Sequence, residues 1–191
     1  MEKAILEGFQ RLGMDRDAGP GKEDDKWPYH QMQRLPIHKE YLQKLLDRWL
    51  AYEARESAEE LTAMREEAEK AKRAFIYRKQ VYTPEQITAR KAEGRIPTIR
   101  LVVPQEEIVV HDHIKGHGKD IGDFVLMKSH GSPIYYFANM LDDALQGVTL
   151  VIRAEEHLSN TPKQIILYNY FWFPVPEFAH LPLVLNPNGK K

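Results

Sequence analysis

The residues best suited to chemistry lie in one short run, Arg153-Ala154-Glu155-Glu156-His157. A guanidinium, two carboxylates and an imidazole follow directly on the apolar stretch Thr149 to Ile152. If that stretch is a strand of an open parallel sheet, the residues past its carboxyl end face the crevice where ligands bind. A guanidinium there can grip a carboxylate through two parallel hydrogen bonds. The helix start expected at Thr161 to Lys163 favours an anion. The bland account of the same residues is an internal Arg–Glu salt bridge, because charges at a strand end are costly unless paired. Spacing alone favours the salt bridge.

Two other clusters carry weaker signals. Asp142 and Asp143 are adjacent carboxylates, a combination that can bind metal or move protons. Neighbouring residues of a helix do not face each other, so helix capping and surface solvation account for them better. His111, Asp112, His113 and His117 form the chain's one histidine cluster. His111 and His113 would share a strand face and could share a metal, but no third ligand stands at a fixed spacing. Ordinary strand and loop histidines are the favoured reading. Walker A, Gly-x-Gly-x-x-Gly and Gly-x-Ser-x-Gly sequences are absent.

The elements that must position these residues read as follows. Ile5, Phe9 and Leu12 share one face of a helix from Glu2 to Leu12, closed by Gly13. Asp15 to Trp27 is a loop. A second helix covers Pro36 to Leu50, with Ile37, Tyr41, Leu45 and Leu46 as its stripe. Ser57 and Glu60 form a capping box ahead of a charged helix whose thin stripe is Leu61, Met64, Ala68 and Ala71. Thr83 caps a short helix with Pro84 at its first position and Gly94 at its end. Strand-like runs follow at 98–103, 108–114, 124–128 and 134–137, which makes the middle third α+β with an antiparallel sheet. The last third changes pattern. Thr149 to Arg153 reads as a strand buried on both faces. Thr161, Pro162 and Gln164 read as a second capping box, and Leu181 to Leu185 as a further strand. Strand, helix, strand is the βαβ unit of a parallel sheet.

Composition bounds the rest. The 191 residues include 42% hydrophobic and 10% aromatic ones, enough for a core. Lys and Arg (27) balance Asp and Glu (28), so any nucleic-acid contact needs a local basic face. The absence of cysteine excludes disulfides and thiolate zinc sites. No apolar run is long enough for a membrane span. A cytoplasmic location is the default expectation.

The same residues also resemble a known family. The block from Val151 to Gln164 is very similar to a signature of bacterial-type glutamyl-tRNA synthetases. So are Tyr135-Tyr136-Phe137-Ala138-Asn139 with Asp142-Asp143, and Phe178-Ala179-His180-Leu181-Pro182-Leu183-Val184-Leu185-Asn186-Pro187. Looser similarity continues upstream through Asp120 to Leu126 and Arg34 to Ile37, so it covers nearly the whole chain.

The resemblance implies an α/β fold: a partial Rossmann-like class I synthetase catalytic core interrupted by an inserted α+β acceptor-binding domain. Its segments would be 1–52, 53–132 and 133–191. It implies ATP-dependent ligation of L-glutamate to tRNA(Glu) through a glutamyl-adenylate, with ATP and its Mg2+ and no zinc. By resemblance, Tyr135, Asn139 and Arg153 would bind glutamate. Glu156, His157, Leu183, Val184 and Lys191 would lie at ATP. Arg73, Arg78, Lys79, Arg90 and Lys91 are candidate contacts to the tRNA acceptor end.

The chain also departs from the family pattern. Its first residue falls after the HIGH-type motif, and Lys191 matches the first lysine of the KMSKS-type loop. The segment Gly116 to Lys119 is shorter than the corresponding loop. Ala54 and Glu56 stand where zinc-containing members carry cysteines. These departures predict an inactive fragment. The alternatives are an acceptor-stem binding module, or one half of a split synthetase completed by a chain that carries the HIGH-motif segment.

Overall fold

The computed structural model describes residues 2–14, 16–26, 28–104, 108–110, 117–119 and 121–183, with 108–110 and 117–119 as backbone. Two compact units are present, Met1–Pro36 and Ile37–Lys191. In the first, helix α1 (Glu2–Arg11) ends where Gly13 takes a positive φ of 66°, as expected of a glycine that stops a helix. The apolar stripe forms, yet Ile5, Phe9 and Leu12 all stay exposed. In the following loop Arg34 Nη1 donates to the carbonyls of Lys26 (3.2 Å) and Pro28 (2.8 Å).

The second unit contains most of helix α2 (Leu35–Asp47), which buries His38, Leu42 and Leu45. Strand β1 (Ala51–Ala54) then pairs antiparallel with β2 (Thr98–Leu101). Between them run α3 (Ala58–Lys70) and α4 (Pro84–Ala92). Both helices start on a complete capping box, Ser57 with Glu60 and Thr83 with Gln86. Each box satisfies amide groups that the first turn cannot pair internally. Strands β3 (Ile108–Val110) and β4 (His117–Lys119) form a separate antiparallel pair. Strand β5 (Val125–Met127) completes the sheet in the order β1-β2-β5.

Helix α5 (Tyr135–Gln146) is closed by Gly147 at φ 75°. Strand β6 (Leu150–Ala154), a 3-10 segment (Glu155–Asn160), helix α6 (Thr161–Phe171) and strand β7 (Glu177–Leu181) follow. β6 and β7 pair in parallel from Leu150↔Glu177 to Ala154↔Leu181, so the βαβ unit read from the pattern is present. One apolar core joins the antiparallel sheet (Leu101, Leu126), α5 (Phe137, Met140, Leu141), α6 (Ile166, Leu167) and β7 (Phe178). A smaller cluster under α3 holds Tyr52, Ala54 and Tyr77, with Leu61 and Met64 packed against it.

The structure corrects several expected elements. The run 134–137 is not a strand: Ile134 precedes α5, and Tyr135 to Phe137 are its first turn. Short apolar runs do not distinguish strand from helix, and here the period of buried Phe137, Ala138, Met140 and Leu141 decides. The strand expected at 181–185 is found earlier, at Glu177–Leu181; residues 182–183 are not part of it, and 184–185 lie outside the described residues. β6 is not buried on both faces, since Leu150 is 46% and Ile152 60% exposed. The inward residues of the pair are Val151, Arg153, Phe178 and His180, and the opposite face lies open. Thr161 is not a helix cap: the residue at that position is Asn160, without a side-chain capping bond. The expected run 108–114 and the loop 116–119 fall partly outside the described residues.

Candidate functional site

The carboxyl end of β6 places Arg153 against the first turns of α6 and the end of β7. Its Nε donates to His180 Nε2 (3.0 Å), and its Nη2 to Thr161 Oγ1 (2.7 Å) and Gln164 Oε1 (2.8 Å). Thr161 and Gln164 thus serve the guanidinium and not the helix start. They share a helical face with Tyr168, at positions i, i+3 and i+7. That face is buried but polar, because Thr161, Gln164 and Tyr168 are all nearly inaccessible.

The hydrogen bonds of Arg153 run to neutral acceptors. The internal Arg–Glu salt bridge that spacing favours is not among these three bonds. Its Nη1 is sealed from solvent and has no hydrogen-bond partner among the described residues, and the same holds for Tyr168 Oη. Burial pushes the guanidinium's pKa down, while Tyr135 and Asp143 nearby push it back up. A guanidinium remains cationic under such a shift because its ordinary pKa is so high. The arrangement is a buried cation with open donors, which suits an anion of carboxylate geometry.

Helix α5 forms the adjoining wall. Asn139 Oδ1 accepts from Gln164 Nε2 (2.9 Å), which links α5 to the acceptors around Arg153. Tyr135, in the first turn of α5, sets its ring 5.1 Å from that of His157. Tyr135, Asn139 and Arg153 are therefore brought to one place. Asp143 is half-buried near Arg153, and burial lifts its pKa to about 6. Asp142 turns the other way: its Oδ1 lies 2.8 Å from Nε2 of the fully buried His38. The two aspartates are thus structural and site-facing, and neither is a solvated helix cap.

A family model described as tRNA synthetases class I (E and Q), catalytic domain, matches residues 1–191. The chain belongs to that family. Glutamate–tRNA ligase 1 of Caldanaerobacter subterraneus subsp. tengcongensis is 44% identical over 196 residues, which cover 99% of this chain and 39% of that protein. The glutamate–tRNA ligase of Geobacillus stearothermophilus is 41% identical over 198 residues, covering 100% of this chain and 40% of its own. A crystal structure of a glutamate tRNA ligase from Elizabethkingia meningosepticum, in complex with its amino acid, superposes with a TM-score of 0.83 at 32% identity. It is matched over 41% of its length and 100% of this chain. The chain thus spans about two fifths of the relatives it matches. It has the mixed α/β class I synthetase catalytic-domain fold and over that length is similar to glutamate–tRNA ligases.

The remaining family positions are arranged less tightly. Glu156 is exposed and its Oε1 lies 3.8 Å from His157 Nε2. Leu183 is partly buried, while Val184 and Lys191 lie outside the described residues. So do His111, Asp112 and His113, together with the His117 side chain. Among the described residues no group of three or more histidine, aspartate or glutamate side chains could hold a metal ion, and no helix is long and apolar enough to cross a membrane.

The basic candidates divide into two sets. Arg78 Nη1 donates to the Ile121 carbonyl (3.1 Å) and approaches Asp123 (3.4 Å). Arg90 makes two 2.8 Å bonds to Glu60, a fork that pulls the Glu60 pKa down to about 2. Arg73, Lys79 and Lys91 are exposed. Lys79 also borders a cavity of ≈ 330 Å³ with Arg55, Tyr82 and Arg90.

Sequence reading missed Thr161, Gln164, Tyr168 and His180 as site residues. The signal was a row of polar side chains at helical spacing on α6, and capping explained two of them too readily.

Proposed function

We propose that this chain forms the amino-acid side of a glutamate–tRNA ligase catalytic centre and binds a carboxylate of L-glutamate at Arg153. The observation that carries the reading is Arg153 Nη1, a buried cationic donor with no hydrogen-bond partner among the described residues. A charged hydrogen-bond donor left unmet in a protein interior costs about 1–3 kcal/mol or more. A carboxylate would meet that need and neutralise the charge. Tyr135 and Asn139 would close the pocket around the glutamate chain. Glu156, His157, Leu183, Val184 and Lys191 would lie on the ATP side, where the α-carboxylate of glutamate would attack the α-phosphate of Mg2+-bound ATP and pyrophosphate would leave, giving glutamyl-adenylate. The work assigned to this chain's residues is to bind and orient the other, side-chain carboxylate, the group that glutamine lacks.

Titration of the chain with L-glutamate by calorimetry or NMR tests the reading. Saturable binding, selective over L-glutamine and reduced at least a hundredfold by Arg153→Met, is expected. No binding at millimolar glutamate, or equal binding by the variant, would overturn it.

A second reading concerns residues 53–132, taken as an inserted α+β domain that holds the tRNA acceptor end. The small apolar cluster beneath α3, separate from the main core, and the exposed Arg73, Lys79 and Lys91 support it. Phosphate contacts make binding salt-dependent, with a log–log slope of about one per contact. Replacing these three residues by alanine is expected to lower that slope by about three. An unchanged slope would remove them as contacts.

A further inference from the structure

We propose that His180 is the positioning residue that aims Arg153, acting as a neutral acceptor for the guanidinium's Nε–H. The inference rests on the glutamate reading of the site and adds a residue that does not itself touch the ligand. Arg153 carries five N–H groups in a rigid fork. His180 Nε2, Thr161 Oγ1 and Gln164 Oε1 take the Nε and Nη2 side of that fork. Among the described residues the Nη1 edge has no acceptor and is left for a ligand. These three acceptors are 0%, 0% and 1% exposed, so water cannot replace any of them.

His180 has a specific chemical requirement. To accept from Arg153 Nε–H, its Nε2 must carry the lone pair, and the ring proton must then sit on Nδ1. A proton on Nε2 would set two donors against each other at 3.0 Å, and a doubly protonated ring would add a second positive charge beside the guanidinium. Thr161 Oγ1 lies 3.1 Å from the same nitrogen and ties the histidine to the start of α6. Phe178, two residues earlier on the same face of β7, stacks on the His180 ring at 6.2 Å and 14° and lies under the guanidinium at 5.4 Å. The imidazole is thus held in plane by an aromatic neighbour and in register by the parallel pair Arg153↔His180. A side chain placed this firmly fixes the direction of Nη1 before any ligand arrives, which lowers the ordering cost of binding.

The test compares His180→Leu, His180→Gln and Thr161→Val in the full chain, reading L-glutamate affinity, the Arg153 Nε–H signal and the 15N shifts of His180. Glutamine can return an acceptor oxygen near the Nε2 position, whereas leucine cannot. Wild type is expected to show an unprotonated Nε2 and a slowly exchanging Nε–H. His180→Leu is expected to lose the protected Nε–H and to weaken glutamate binding by about tenfold or more. His180→Gln should restore most of both, and Thr161→Val should fall between. A folded His180→Leu that binds like wild type, or a His180→Gln as weak as leucine, would overturn the proposal. If His180→Leu does not fold, the glutamine and valine variants decide on the same criteria. If wild type binds no glutamate, the site reading fails. The His180 contact then stands or falls on the tautomer and exchange data, with a protonated Nε2 overturning it.

Discussion

Two buried ionic groups in this molecule are treated in opposite ways. Asp123, between β2 and β5, accepts from the Val103 amide (2.9 Å), the Lys79 amide (2.9 Å) and the Tyr52 hydroxyl (2.7 Å), with Arg78 at 3.4 Å. A carboxylate offers about four lone-pair positions, and here each has a partner. Arg153 has acceptors along one edge of its fork and none at Nη1. The first group pins four chain segments together and has no capacity left for a ligand. The second keeps one buried donor, Nη1, without an acceptor among the described residues, although Asp143 lies near the guanidinium. Completeness of hydrogen bonding is thus what distinguishes these two buried ions, which burial and charge alone do not.

The sharpest way to break this contrast is to remove each group. Asp123→Ala strands several buried donors at once and is expected to cost about 3–5 kcal/mol, measured by denaturant unfolding. Arg153→Met removes an incompletely paired charge from the interior. It should cost less than about 2 kcal/mol even though it removes ligand binding. Equal losses of stability would erase the distinction.

A smaller effect tests the reassignment of Thr161. Ser57 is a true cap, so Ser57→Ala should cost about 1 kcal/mol. Thr161→Ser keeps the hydroxyl for Arg153 and should leave glutamate affinity nearly unchanged. If Thr161→Ser impaired binding as much as Thr161→Val, the hydroxyl contact would not be the cause.

Acid dependence sharpens the comparison between two carboxylates. Burial raises Asp143 to about 6, above its ordinary value of 3.8, so the folded state binds more protons than the unfolded one between those values. Its contribution to stability is complete at lower pH and is lost as pH rises through that window. Glu60, drawn down to about 2 by Arg90, has the opposite sign: its contribution is present above about 4.5 and lost as pH falls. Asp143→Asn should remove the falling slope between pH 4 and 6, read from unfolding midpoints. A wild-type slope unchanged by the substitution would contradict the assignment. The smallest effect belongs to the open face of β6, where Ile152→Thr should change stability by less than about 0.5 kcal/mol.

Much of the fold follows from local rules. The capping boxes at Ser57 and Thr83, the glycine stops at Gly13, Gly94 and Gly147, and the strand–helix–strand pattern around α6 all depend on neighbours in the chain. The helix at 135–146 was misread at its start because a four-residue apolar run carries no period of its own. The burial of β6 was misread because an apolar strand shows what it can bury, and only its surroundings show what does cover it.

For the site, the residues alone identified Arg153 as a cation at a strand end. The family resemblance joined it to Tyr135 and Asn139. Neither showed that Thr161 and Gln164 bond to Arg153 instead of capping α6, nor that His180 supplies the third acceptor. Those contacts span 8, 11 and 27 residues of sequence and cross from β6 to α6 and β7. Sequence by itself determined the elements and the types of group available, since propensity, capping and period act over a few residues. Which donors of Arg153 are met and which stay open was decided only by tertiary packing, because a hydrogen bond depends on angles and distances that no local rule sets.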